Sequence, residues 1–559
     1  MKGLSIFILF GLLGWVQHLK AQQNPGSERP NIVLILVDDS GLMDFGAFGG
    51  EAKTPIIDSL ARAGIMFTNM HASPVCAPSR AMLMTGSDSH LAGVANLPEM
   101  LPKKYQEKKG YEGVLNDSVQ TIATRLKELK YNTYASGKWH LGHDEYTLPT
   151  KRGFDRSFVL GGSGADNYTG KGYLPFKPNP EWYEDGRQTD LPDEFYSSEL
   201  FVDKMIRFHE EEKNPDQPFF SYLAFLAVHT PVQAPKAYVK KYQAVYEKGW
   251  DAIRQQRYTK AREMGILPKN GEMNPMLEGI KPWEELSEAE KKSYVNGIAV
   301  MAGMLEAMDF HIGRYVQYLK EKGLAENTLF IITSDNGPDG GDYSGINGWA
   351  KRHGYHRDLH GDEGNRYYGF IGPGYASAIA APFSHFKYYT GEGGLRVPLI
   401  MSGPRLPASQ IDPALCFITY IAPTIYDLLG LSPSANKGYH PIMGKSMLPH
   451  IKDNSLPIYA ADEGVGMEAA GCAAYFMGDY KIVQNKGPRG DGLWKMYNLA
   501  KDPAETQDIS AIQPMIFQIL LCKYEEYKKE VGVQDMPEGY SAEGEVAKKS
   551  MKAILNPFK

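Results

Sequence analysis

Asn31-Ile32-Val33-Leu34-Ile35-Leu36-Val37-Asp38-Asp39 is the stretch on which the fold turns. Its apolar run is continuous and rich in β-branched residues. Such a run predicts a strand buried on both faces, as in a parallel sheet covered by helices. The strand ends in two adjacent acids. They would repel one another unless a cation lies between them, or they sit in a solvated turn.

Three more runs end in the same way. The 132–137 run leads into Lys138 and His140, which alternation in an extended chain puts on one side. The 219–228 run leads into His229, and the 328–333 run into Ser334-Asp335-Asn336-Gly337. Ligands of open α/β sheets bind beyond the carboxyl ends of the strands. Four strands with hydrophilic ends therefore predict one site at one sheet edge.

Helical patterns fill the intervals. Thr54-Pro55-Ile56-Ile57-Asp58-Ser59-Leu60-Ala61-Arg62-Ala63-Gly64 reads as N-cap, first-turn proline, helix and glycine stop. Val119, Ile122, Ala123, Leu126 and Leu129 make an apolar helix face, and 301–319 carries another stripe. Residues 236–290 read as a charged, helical surface insertion, 367–381 as a loop, and 397–401 as a further buried strand. Beyond 450 the pattern shifts to short strands near 473–477, 481–484 and 495–499, then a helix over 515–529. The expected class is α/β, with a large, mostly parallel mixed sheet flanked by helices. A smaller C-terminal α+β unit with an antiparallel sheet follows.

The length of 559 residues suits that division, and 43% hydrophobic with 23% charged residues is ordinary for a globular protein. A net charge of −6 argues against a nucleic-acid partner. It leaves a small anionic substrate open, because local field can oppose net charge. Met1-Lys2, the apolar run 4–16 and Ala21 read as a secretory signal peptide over 1–21. The run is too short to span a bilayer, and no later stretch is long and apolar enough to do so. The expected divisions are therefore 1–21, a large domain over 22–450 and a C-terminal α+β subdomain over 451–559. The expected location is periplasmic or secreted. The four cysteines are Cys76, Cys416, Cys472 and Cys522; if Cys76 is used for chemistry, three remain, which excludes a full disulfide framework and leaves one bridge open.

Cys76 sits in Ser73-Pro74-Val75-Cys76-Ala77-Pro78-Ser79-Arg80-Ala81-Met82-Leu83-Met84-Thr85-Gly86. Pro78 suits the first turn of a helix. Cys76 then lies at a helix N-terminus, where free N–H groups favour negative charge. Arg80 follows about one turn later, so both side chains can face one anion. The same pattern also fits a buried cysteine behind an ordinary turn. Asp38, Asp39, Asp335 and Asn336 offer oxygen ligands only, which suits Ca²⁺, with Mg²⁺ as the alternative.

The Cys-x-Pro-Ser-Arg-x₄-Thr-Gly pattern resembles the signature of type I sulfatases, in the alkaline-phosphatase-like superfamily. A second match is Lys387 with Glu392-Gly393-Gly394-Leu395-Arg396-Val397-Pro398. The likeness runs from about residue 31 to 508 and is closest to Pseudomonas-type bacterial arylsulfatases. It implies that a maturation enzyme oxidises Cys76 to 3-oxoalanine (formylglycine). It further implies that Asp38, Asp39, Asp335, Asn336 and modified Cys76 hold the cation. Arg80, Lys138, His140, His229 and Lys387 correspond to the remaining polar shell. The implied reaction is transfer of a sulfuryl group from a sulfate monoester to the hydrated aldehyde, with Asp335 as base and with Lys138, Lys387, Arg80 and the cation holding the sulfuryl oxygens. His229 then protonates the leaving alcohol and His140 helps expel sulfate.

The expected substrate is a sulfated carbohydrate, with a small aryl sulfate as the alternative. Rival readings are a formylglycine-dependent phosphonate or phosphate ester hydrolase and a non-catalytic, calcium-dependent glycan binder. Asp88, His90, Asp166, Asn167 and His360 lie in polar or glycine-rich loops near the motifs and are candidates for substrate selection.

Overall fold

The computed structural model describes residues 29–177, 179–357 and 366–555. The expected signal peptide over 1–21 and the candidate His360 lie outside the described residues. Among the described residues no helix is long and apolar enough to cross a membrane.

An 11-stranded sheet organises the larger part of the chain. Its strands are β1 (Asn31–Val37), β2 (Ile65–His71), β3 (Asn132–Lys138), β4 (Arg156–Leu160), β5 (Trp182–Glu184) and β6 (Arg187–Gln188). They continue with β7 (Phe219–Ala224), β8 (Thr328–Ser334), β9 (Arg396–Ser402), β10 (Gln410–Asp412) and β11 (Cys416–Phe417). The spatial order is β10-β2-β9-β8-β1-β7-β3-β4-β5-β6, with β11 beside β2. The central strands β8, β1, β7, β3 and β4 run parallel, and β9 is antiparallel to both neighbours.

β1 shows why its sequence is apolar throughout. Val33, Ile35 and Val37 enter one core, which also holds residues of the long helix Glu288–Glu321 and the helix Ser197–Glu210. Ile32, Leu34 and Leu36 enter the opposite core with the helices Cys76–Thr85, Ile122–Lys127 and Ile421–Leu428. Each such side chain stabilises the fold by about 1.5–3 kcal/mol relative to exposure.

The second sheet has four antiparallel strands, β12 (Gly464–Ala469), β13 (Cys472–Met477), β14 (Tyr480–Gln484) and β15 (Trp494–Asn498). The helix Pro514–Val531 packs on it through Leu520, Tyr524 and Tyr527. The strand β12 has no counterpart in the sequence reading.

Several local expectations are corrected. The 219–228 strand stops at Ala224; beyond it the chain bends, and Asp38 N donates to Ala227 O at 2.9 Å while Val228 N donates to Asp38 O at 2.7 Å. The helix around 119–129 covers only Ile122–Lys127, because the Thr121 side chain caps it by accepting from Thr124 N. Thr54 is the N-cap of its helix, as expected, but its side chain makes no capping hydrogen bond. Its hydroxyl donates to Asp58, and Asp309 of the long helix accepts from Ile56 N and Ile57 N instead. Residues 367–381 are not merely a loop, since Gly372–Ala380 is helical. Glycine is required there because a Cβ at Gly374 would collide with the Trp250 ring. Nor is 236–290 just a surface insertion. Its helix Trp250–Glu263 buries Ile253 and Arg257, and Arg257 pairs with Asp44 and Glu51 at 2.7 and 2.6 Å.

Candidate active site

The four central strands in the order β8-β1-β7-β3 deliver their carboxyl-end residues to one place. β1 ends at Asp38 and Asp39, β8 at Asp335 and Asn336, and β3 at Lys138, with His140 just beyond. His229 follows the bend after β7. Asp39 takes φ +64°, a turn that sends the two adjacent carboxylates to different partners. His140 takes φ +57°, so Lys138 and His140 do not converge by simple alternation; a left-handed kink redirects the chain between them.

The helix Cys76–Thr85 starts at Cys76, with Val75 as N-cap. Cys76 Sγ lies 3.5 Å from His140 Nδ1. One turn on, Arg80 clasps Asp335 Oδ2 through Nε at 2.9 Å and Nη2 at 2.7 Å, and donates to Lys138 O at 2.8 Å. Lys138 Nζ lies 2.6 Å from Asp38 Oδ2. Lys387 Nζ reaches Asp39 Oδ1 at 2.7 Å and Oδ2 at 2.8 Å. Asn336 Nδ2 donates to Asp39 Oδ1 at 2.7 Å. His229 Nδ1 donates to Thr230 O at 2.6 Å, which leaves Nε2 facing Asp39 Oδ2 at 3.6 Å.

Two buried oxygens in this cluster have no hydrogen-bond partner, Asp38 Oδ1 and Asn336 Oδ1. Ligand atoms of Asp38, Cys76 and Asp335 all lie within 4.8 Å of one another, as do those of Asp38, Asp39 and His229. An unpartnered buried carboxylate oxygen is costly, because it has lost water and gained nothing. Carboxylate and amide oxygens gathered in this way fit a hard divalent cation.

The electrostatics follow from burial and pairing. Burial raises the Asp38 carboxyl, but Lys138, His229 and Arg80 outweigh it and hold the group below the usual range. Burial and the charge of Asp38 hold Asp335 above it, despite Arg80. Burial would lower Lys387, yet Asp39 keeps it well above its ordinary value. Burial and Lys138 push His140 well down, and burial and Lys387 lower His229. Burial pushes the Cys76 thiol up, which keeps it protonated and a poor nucleophile.

Cys76, His229 and Lys387 open onto a narrow cleft whose walls include Glu99, Tyr173, Lys177, Tyr343 and Tyr388. Apart from Glu99, in the single-turn helix Pro98–Met100, these wall residues come from irregular segments with no periodicity to mark them. Asp339 is a further missed neighbour. It accepts from Thr230 Oγ1 and from Tyr343 OH, at 3.3 and 2.9 Å. Its position after Asp335-Asn336-Gly337-Pro338 was the available signal.

The loop candidates are placed elsewhere. Asp88 and His90 are buried against the second sheet: His90 bridges Asp88 at 2.9 Å and Glu468 at 3.1 Å, and Tyr527 OH donates to Asp88. Asp166 folds its own loop, accepting from the backbone N–H groups of Tyr168, Thr169 and Gly170 and from Tyr355 OH. Asn167 is held by Gln233 and Ser197. None of these four lines the cleft, because each side chain is used up in holding backbone or partner side chains.

A family model described as Sulfatase matches residues 30–431. An uncharacterized sulfatase of Schizosaccharomyces pombe is 34% identical over 539 residues, 92% of this chain and 96% of that one. An arylsulfatase of Klebsiella aerogenes is 33% identical over 432 residues, 75% of this chain and 91% of its own length. Among solved structures, Ps i-CgsB in complex with k-i-k-neocarrahexaose superposes with TM-score 0.64 at 24% identity, over 95% of this chain and 99% of that one. A protein solved with its substrate D-glucosamine-2-N,6-O-disulfate gives 0.60 at 20% identity, over 92% of this chain and 100% of that one.

Proposed function

The chain belongs to the sulfatase family and is a sulfuric ester hydrolase, and on that footing we propose that it desulfates carbohydrates after oxidation of Cys76 to formylglycine. Asp38, Asp39, Asp335 and Asn336 would hold a divalent cation, Ca²⁺ before Mg²⁺. The observation that carries this reading is the pair of orphaned oxygens, Asp38 Oδ1 and Asn336 Oδ1, in the cluster that includes Cys76.

When present, the oxidised side chain supplies a hydrated aldehyde as nucleophile and the cation supplies positive charge beside it. The chain's own residues do the rest. Lys387 Nζ, open to the cleft, binds a sulfuryl oxygen and meets the charge that develops there. Arg80 and Lys138 fix Asp335 and Asp38 in place, so these carboxylates need not reorganise during the reaction. The Nδ1–H to Thr230 O hydrogen bond orients His229 and leaves Nε2 bare, so Nε2 delivers a proton to the leaving alcohol oxygen only after taking one from the neighbouring Lys387 ammonium. His140 Nδ1, next to the Cys76 side chain, removes a proton from the group attached there. The aromatic walls Tyr173, Tyr343 and Tyr388 exclude bulk water.

A carbohydrate substrate is supported by the sugar ligands of the two structures of like fold. The apolar run behind Met1-Lys2 supports export to the periplasm or the cell exterior. The test is kinetic. Matured, calcium-loaded protein is given matched 4-nitrophenyl sulfate and 4-nitrophenyl phosphate, then a panel of galactose and N-acetylglucosamine sulfates. The expected outcome is a higher kcat/KM on sulfate and turnover of at least one sugar sulfate. A higher kcat/KM on phosphate would move the reading to a phosphate ester hydrolase. An idle sugar panel would leave aryl sulfate as the substrate.

A further inference from the structure

What places Nε2 of His229 lies one residue beyond it. The His229 ring sits on the bend after β7, and its Nδ1–H donates to Thr230 O at 2.6 Å. A ring tied to its neighbour's carbonyl follows that peptide, so the Thr230 peptide sets where Nε2 points. Downstream the bend is fixed by Asn167 Nδ2, which donates to Pro231 O at 3.3 Å, and by Val232 N, which donates to Gly369 O at 2.9 Å. At Thr230 itself the tie is the side chain, whose Oγ1 donates to Asp339 Oδ2 at 3.3 Å.

Asp339 is 6% exposed, and three neutral donors meet its carboxylate: Gly341 N at 2.9 Å on Oδ1, and Tyr343 OH at 2.9 Å with Thr230 Oγ1 on Oδ2. Burial raises this carboxyl, but Lys387 and His229 outweigh it and hold the group below the usual range, so both oxygens accept. The bond to Thr230 is the longest of the three. Hydrogen bonds of catalytic sites are often long without substrate and tighten in the complex. The run that carries Asp339 also carries Asp335 and Asn336, and Pro338 O accepts from Lys387 N at 3.1 Å. Residues 335–339 thus join the proposed cation ligands, the backbone of Lys387 and, through Thr230, His229. Tyr343, the other donor to Oδ2, is a wall of the cleft. A further part of the wall, Val546 of the C-terminal helix Ala542–Leu555, is held separately, since Glu543 of that helix accepts from Tyr389 OH at 2.9 Å.

We propose that Asp339 is a positioning residue for departure of the alcohol: through Thr230 it holds the His229 ring where Nε2 meets the leaving oxygen. A proton passes from Lys387 Nζ to His229 Nε2 and on to that oxygen, as the bond from sulfur to it breaks and leaves its electron pair there. Asp339 exchanges no proton; it acts through Thr230 alone. The proposal rests on the sulfatase reading, and it concerns only the step in which the alcohol leaves.

The test gives matured, calcium-loaded protein a series of aryl sulfates. Their phenols range from 4-nitrophenol, which departs readily as its anion, to the more basic 4-methoxyphenol, which needs a proton. Thr230→Val keeps the shape of the side chain and removes its hydroxyl. It should lower kcat/KM by no more than about threefold on the first and by about 10²-fold on the last, the lower end of what a positioned general acid contributes. Asp339→Ala gives the same dependence on the leaving group, and the double variant adds no more than about threefold, because both changes remove one link. Asp339→Asn stays within about threefold of wild type across the series, since its amide can donate to a hydroxyl that also accepts. If Asp339→Ala does not fold, the isosteric Thr230→Val carries the test alone. A crystal structure of Thr230→Val should show the His229 ring turned from its wild-type position. An equal loss on every aryl sulfate, or an unmoved ring, in each case with wild type active, would overturn this proposal alone. Wild type idle on the whole series would remove the sulfatase reading and the proposal with it.

Discussion

Asn336 donates its amide Nδ2 to Asp39 Oδ1 at 2.7 Å, and its own Oδ1 is left buried without a partner. Asp39 thereby sets the direction of an amide oxygen that belongs, with Asp38 Oδ1, to the postulated cation site. Asn336→Ala removes one oxygen ligand and keeps the three carboxylates. The expected result is a calcium affinity at least tenfold weaker by calorimetry. Chelation of wild type should lower the melting temperature, since a ligand at 100 times its Kd stabilises by about 2.7 kcal/mol. A melting curve indifferent to chelator and calcium would argue against the site.

Lys387 and Asp39 form a buried ion pair, each about 1% exposed. Lys387→Ala leaves the Asp39 carboxylate without its ammonium in a dry pocket. Breaking such a pair costs about 3–5 kcal/mol. The lost charge stabilisation at the sulfuryl oxygens should reduce kcat by about 10²–10³. Denaturant titration and steady-state kinetics read the two effects separately. Lys387→Met with unchanged kcat would remove the residue from the chemistry.

His90 joins Asp88, in the loop after the Cys76 helix, to Glu468 of β12, and the two carboxylates overcome burial and raise it to about 9. A histidine raised in the folded state adds stability that is fully present below its unfolded value near 6.5. That stability is lost as pH rises through about 9. The loss is on the order of 3 kcal/mol. Urea midpoints at pH 6 and pH 9.5 should therefore differ more in wild type than in His90→Gln. Equal pH dependence in both proteins would contradict the clamp.

Glu392, from the Glu-Gly-Gly-Leu-Arg segment, binds Lys481 of β14 at 2.8 Å, and Lys481 also holds Glu505 at 2.7 Å. His71 of β2 closes the network at 2.9 Å. The motif therefore also fastens the second sheet to the first. Lys481→Ala strands two buried carboxylates and should cost about 3–5 kcal/mol, with kcat of the remaining folded protein little changed. A loss of kcat without loss of stability would place Lys481 in the chemistry instead.

The α/β architecture was legible because β1, β7 and β8 are buried on both faces and carry largely apolar runs, whereas β3, equally buried, is built of small and polar residues. The hydrophilic ends of β1 and β8 were legible for the same reason: Asp38 and Asp335 interrupt a pattern that burial otherwise enforces. The Cys76 helix announced itself through Pro78 and Gly86. The cleft wall did not, since Tyr173, Lys177 and Tyr343 sit in irregular segments whose positions depend on long-range packing. Asp88, His90 and Asp166 drew attention as polar loop residues, yet burial converts them to brackets between distant segments. The Gly372–Ala380 helix was hidden by its glycines, which serve close packing against Trp250. The role of the C-terminal helix beside the cleft had no local signal at all.

The central claim is that sulfate-ester hydrolysis depends on the oxidised form of Cys76. It is tested by preparing the protein with graded amounts of the maturation enzyme. The aldehyde fraction of the Cys76 peptide is quantified by mass, and sulfate release from 4-nitrophenyl sulfate is measured in the same samples. The account predicts a rate that rises in proportion to the aldehyde fraction and passes through zero, with none in Cys76→Ala. A rate independent of that fraction, or sustained in Cys76→Ala, would contradict it.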